Sequence, residues 1–121
     1  MKFGYLAVAA TLLAASPSHA HNPKSDHGGR IVSAGPFHAE LVVKDRAVEV
    51  FLKGHDDKPI KPVGFKGVAI LNSGGKAERV LLAPSENDAL AGTASAPVPE
   101  NPKGAVQITA PDGATSTARF D

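Results

Sequence analysis

The chain has no cysteine and no tryptophan, and its only methionine and tyrosine are Met1 and Tyr5. Aromatic residues make up 5% of its 121 positions. The missing sulfur excludes thiolate nucleophiles, disulfide exchange, iron–sulfur ligation and, beyond Met1, thioether copper(I) sites. A fold without disulfides must be held by buried apolar surface alone. No apolar run reaches the roughly 20 residues needed to span a bilayer. The longest, residues 3–15, follows Lys2 and leads into Ser16-Pro-Ser-His-Ala20, with the small residues Ser18 and Ala20 where signal peptidase reads. Residues 1–20 therefore read as a cleaved secretory signal peptide, with a periplasmic chain starting at His21. Loss of Lys2 takes the basic count from 13 to 12, against 12 acidic residues. A neutral domain has no general attraction for nucleic acid or for an anionic membrane, and no membrane insertion is expected after cleavage.

Outside the signal segment no helical stripe is present, whereas period-two alternation recurs throughout. Residues 21–30 are polar and rich in turn formers, and read as a flexible lead; residues 31–121 read as one β-domain. His38–Val43 and Ala47–Leu52 are alternating runs around Lys44-Asp45-Arg46. Phe65–Leu71 and Glu78–Ala83 flank Asn72-Ser-Gly-Gly-Lys76, and Ala105–Thr109 and Thr115–Phe120 flank Pro111-Asp-Gly113, giving two more hairpins. Leu90–Thr93 is a further short strand. The three prolines of residues 96–103 mark an extended connection. Six to eight short strands at this spacing predict an all-β antiparallel sandwich or small barrel.

The first hairpin has a calculable register. With Asp45 and Arg46 as a two-residue loop, Lys44 pairs with Ala47, Val43 with Val48, Leu41 with Val50 and Ala39 with Leu52. One face is then wholly apolar, and a slip of one residue would mix the two faces. The other face carries Val42 with Glu49, Glu40 with Phe51, and His38 with Lys53. His55 has the parity of Phe51 and Lys53, which brings it out one step beyond His38.

All four histidines beyond the signal segment (His21, His27, His38 and His55) precede Asp56. His38 and His55 converge on one hairpin end, and His27-Gly-Gly leads into the preceding strand and can fold back toward it. Glu40 and Asp57, with Asp26 and Asp56, supply carboxylates. Imidazoles with carboxylates and no sulfur suit copper(II), zinc, nickel or cobalt. The predicted ligands are thus His27, His38 and His55, assisted by Glu40 or Asp57. The alternative is a set of solvated surface histidines, with Glu40 an exposed acid. His21 offers a separate possibility, because a free α-amine beside an imidazole can chelate copper(II). The serines lack a nucleophile-elbow pattern, and Ser73-Gly-Gly precedes no helix that could make it a phosphate cradle, so no enzyme is expected.

The stretch His27-Gly-Gly-Arg-Ile-Val-Ser-Ala-Gly-Pro-Phe-His38-Ala-Glu-Leu-Val-Val43, followed by Ala47-Val-Glu-Val-Phe-Leu52, resembles a segment of the periplasmic adaptor subunits of heavy-metal efflux pumps. It is also similar to small exported proteins built on that β-domain alone. The resemblance covers about residues 27–83 and is most distinctive over 27–43. It implies that His27 and His38 occupy the family's two histidine positions and Glu40 its acidic one. The implied role is binding a divalent transition metal, copper or zinc foremost, for buffering or for delivery to an efflux-pump subunit. The adaptors' helical hairpin, lipoyl-like and barrel domains are missing, as are the methionines of copper(I) exporters. A non-catalytic module that docks on an envelope or efflux-pump protein through Val42, Phe51 and Glu40 is the competing expectation.

Overall fold

The computed structural model describes residues 25–121, so the signal segment and His21 lie outside the described residues. None of the described residues is helical. Nine strands form one antiparallel sheet: β1 (Arg30–Ala34), β2 (Phe37–Lys44), β3 (Ala47–Gly54), β4 (Pro59–Ile60), β5 (Lys66–Ser73), β6 (Lys76–Pro84), β7 (Leu90–Thr93), β8 (Gly104–Thr109) and β9 (Thr115–Phe120). The neighbour order is β1-β2-β3-β7-β6-β5-β8-β9, with β4 paired to β3 off this path.

The two ends of that path curl together, so the sheet is nearly closed into a barrel. Arg30 on β1 stitches the seam. Its guanidinium donates to the Asp121 carbonyl at 2.7 Å and the Pro102 carbonyl at 3.0 Å, and lies 5.6 Å from the Phe120 ring centroid. Farther along, Gly35 lies against Ser116, and a Cβ there would fall 2.7 Å from its hydroxyl oxygen. Curling the sheet brings its two edge strands, β1 and β9, against each other and so shields ladder edges that would otherwise invite pairing with another chain.

Alternation explains the interior. Leu41, Val43, Val48, Val50 and Leu52 from the first hairpin meet Leu71, Val80, Leu82, Val106, Ile108 and Phe120 from the remaining strands, all of them buried. The first hairpin adopts the register that its apolar pattern demands, from Lys44↔Ala47 to Ala39↔Leu52 and His38↔Lys53. Gly74 and Gly75, at φ of 58° and 85°, supply the two left-handed residues of the β5–β6 turn. The proline-rich connection is more than a surface strap. Val98 is buried, and its amide donates to the Asp45 carbonyl at 2.8 Å, which covers the barrel end at the β2–β3 turn.

Of the two expected architectures, the small barrel is the one adopted: one curled sheet rather than two facing layers. One expectation is corrected. The strand number is nine rather than six to eight, because the chain doubles back after Asp57 and pairs Ile60 with Leu52 and Pro59 with Lys53. Two residues are too few for periodicity to register in sequence.

Leu71 is fully buried in the core cluster. Leu71→Ala is expected to cost about 2–5 kcal/mol in urea denaturation. A loss under about 1 kcal/mol would be inconsistent with a well-packed interior.

Candidate functional site

The outer face of the first hairpin is where titratable groups gather, and it is not an open surface. Gly28 takes φ +73°, which turns the chain back over β2 and β3. Gly29 then runs so close to β2 that a Cβ would strike the Leu41 carbonyl and approach Val42 Cγ2 to 2.8 Å. The two glycines thus meet different requirements: Gly28 supplies the left-handed turn, and the missing side chain of Gly29 lets the segment lie flat on the sheet.

What it lies on is Glu40. This carboxylate is 2% exposed and takes hydrogen bonds from the Ser25 hydroxyl (2.7 Å), the His27 amide (3.0 Å) and the Gly29 amide (2.8 Å). His27 Nδ1 lies 3.0 Å from its second oxygen. Burial alone would raise the Glu40 pKa, but these donors outweigh it and hold the group below its ordinary value. The His27 ring stacks on Phe51, with centroids 3.6 Å apart and planes 8° from parallel. One step along the strands, buried Lys53 donates to Asp26 at 2.8 Å and reaches Asp57 at 3.6 Å. The Asp26 bond, foremost, raises the Lys53 pKa and keeps it charged. A cavity of about 210 Å³ opens beside these groups, lined by Asp26, His27, Glu40, Phe51, Lys53 and Asn87 among others. It is smaller than the roughly 300–1,000 Å³ of organic-ligand pockets.

Beyond Lys53 the same face ends in a histidine pair. His38 Nε2 and His55 Nδ1 are 3.0 Å apart, and the rings meet edge to face with centroids 4.5 Å apart. The tautomers follow from the far end of the chain of hydrogen bonds. The Gly35 carbonyl, 3.1 Å from His55 Nε2, can only accept, so that nitrogen carries the proton. His55 Nδ1 then accepts from His38 Nε2, which leaves His38 Nδ1 facing the Ser33 hydroxyl in a long contact of 3.4 Å. Burial lowers the His38 pKa, with His55 and Lys53 acting in the same direction against Asp57. The ring therefore stays neutral, the state that binds metal.

The predicted ligands thus separate into two groups. His38 and His55 come together, with Asp57 close enough to act on His38 electrostatically. His27 is not with them, because Glu40 and Phe51 hold it. Glu40 is not a solvated acid, because the folded-back segment covers it, and for the same reason Val42 and Phe51 are only partly exposed. His21 lies outside the described residues. Among the described residues, no three histidine or carboxylate side chains cluster so as to hold a metal ion. Sequence reasoning missed Ser33 and Gly35 as supports of the pair. Ser33 was within reach, since it sits opposite His38 once β1 and β2 are paired. No family model, curated protein or solved structure matches this chain.

Glu40→Gln removes the negative charge that Ser25 and the His27 and Gly29 amides share on one oxygen, and presents an amide NH2 in place of the oxygen facing His27 Nδ1. It is expected to cost about 1–3 kcal/mol at neutral pH and to speed amide exchange at Gly29. Because the folded carboxyl titrates below its ordinary 4.5, its contribution is complete above that pH and fades as pH falls through the folded-state pKa. Thermal melts of native and variant should therefore converge as the pH falls progressively below the ordinary carboxylate range. A gap that stays constant from pH 7 through the whole acid range in which both proteins remain folded would refute this role for Glu40.

Proposed function

We propose that this protein is an exported carrier of a divalent transition metal ion, copper(II) or zinc foremost, bound at His38 Nε2 and His55 Nδ1. The observation that carries this reading is their 3.0 Å approach at one exposed corner of the sheet. At bond lengths of about 2.0–2.1 Å, two nitrogens on one ion are about 2.9 Å apart at a right angle and about 3.4 Å apart at the tetrahedral angle. The observed spacing is close to the first value, which suits copper(II) or nickel, while zinc needs only a slight opening. An ion takes the place of the proton on His38 Nε2. That proton moves to Nδ1, where the Ser33 hydroxyl oxygen accepts it. The Gly35 carbonyl already holds the His55 tautomer that leaves Nδ1 bare.

The donor chemistry agrees with the absence of sulfur from the exported chain, and the resemblance of residues 27–43 to efflux adaptors supplies the setting. In that setting the ion is cargo, buffered in the periplasm and passed to an exporter subunit.

A second reading, docking on an envelope or efflux-pump protein, finds support on a different face from the one first expected. Leu81 and Ile70 on β6 and β5 are 69% and 50% exposed. Leu81 sits opposite Val68, and Ile70 opposite Arg79. In this reading Leu81→Asp abolishes partner binding and leaves metal affinity unchanged.

Calorimetric titration of the chain from His21 onward with copper(II), zinc and nickel tests the first reading. At least one ion should bind more tightly than about 10 μM, equivalent to about −7 kcal/mol. His38→Ala and His55→Ala should each weaken that binding at least tenfold, about 1.4 kcal/mol, while His27→Ala leaves it within twofold. Binding that survives the loss of both His38 and His55 would overturn the assignment.

A further inference from the structure

The His38–His55 corner offers fewer donors than its ions use. Zinc in a closed site takes four ligands, and copper(II) favours four in a plane, whereas the corner supplies two nitrogens. The chain has no ready means of adding more from the described residues. His27 is stacked on Phe51 and bonded to Glu40, and Asp57 shares its carboxylate with the buried Lys53 ammonium. The open side of the pair faces outward. His55 is exposed, and it stands past the end of β3, on the turn that leads to β4.

We propose that two copies of this chain share one divalent ion, each contributing His38 Nε2 and His55 Nδ1, so that the ion has four imidazole ligands. This inference rests on the metal-binding reading above and adds the partner that completes the site. Two features favour a second copy as the source of the missing donors. The first is charge. The corner contains Asp26, Asp56 and Asp57 against Lys53 and Lys58, a surplus of one negative charge per copy. A doubly charged ion between two such corners cancels that surplus, so the copies meet without net repulsion. The second is preorganisation. The Gly35 carbonyl and the Ser33 hydroxyl already orient the two rings, so each copy presents a rigid half-site and association loses little side-chain freedom. A two-fold axis through the ion then relates identical half-sites, the commonest symmetry of homodimers.

Sedimentation velocity of the chain from His21 onward, at tens of micromolar and titrated with zinc chloride or copper(II) chloride, tests this. The expected result is a single-copy species in EDTA that doubles in mass on metal addition. The titration should break at one ion per two chains, and excess EDTA should reverse it. His55→Ala and His38→Gln, each checked by circular dichroism for an intact β fold, should remain single-copy at the same metal concentration. Saturation at one ion per chain with no change in mass would overturn the sharing and leave the metal-binding reading standing. Absence of histidine-dependent binding would overturn both. Doubling that persists in EDTA, or in either variant, would show an association that the ion does not create, and would equally overturn the proposal.

Discussion

The buried carboxylate of Glu40 organises the side of the molecule on which all the candidate chemistry lies. A charge at 2% exposure must be met by donors. They come from residues 25–29, which have no ladder of their own to satisfy and are brought in by the left-handed Gly28 and the close approach of Gly29. Once anchored, that segment seats His27 on Phe51 and Asp26 on Lys53. One desolvated acid thus converts what would be an outer sheet face into a covered layer, and leaves the hairpin's far corner exposed.

That covering sorts the histidines by role. His27 serves structure: it is a ring packed on a ring and hydrogen-bonded to an acid already surrounded by donors. His38 and His55 remain at the edge of the covered zone, mutually hydrogen-bonded, with their outer nitrogens directed to Ser33 and to a backbone carbonyl. Only the His55 tautomer is fixed from outside the pair, by the Gly35 carbonyl. Lys53, whose charge acts on His38, is paired on both sides with Asp26 and Asp57.

The barrel makes the corner rigid. β2 and β3 pair along eight residues each, and β1 and β4 brace them on opposite sides near the histidine end. Phe37, next to His38, packs edge to face on Phe65 at 6.0 Å, which plugs the interior beneath the pair. Side chains mounted on braced strands are held more closely than side chains on loops. His55, just past the end of β3, acquires comparable definition from its bond to Gly35.

The all-β class, the hairpins and the inward set were legible because the side-chain period of a strand is two, and only one register of the first hairpin keeps six apolar residues on one side. The meeting of His38 with His55 followed from the same parity. The choice of barrel over sandwich, the short β4 and the burial of Glu40 were not legible, since each depends on segments distant in the chain coming into contact. Alternation distinguishes one face of a strand from the other, but it carries no information about what will cover the second face. Period and parity are local properties of the backbone, and the amino-acid order determines them directly. Desolvation of an acid, capture of His27 and closure of the seam by Arg30 arise only when remote surfaces exclude water together, and that was decided by the tertiary structure.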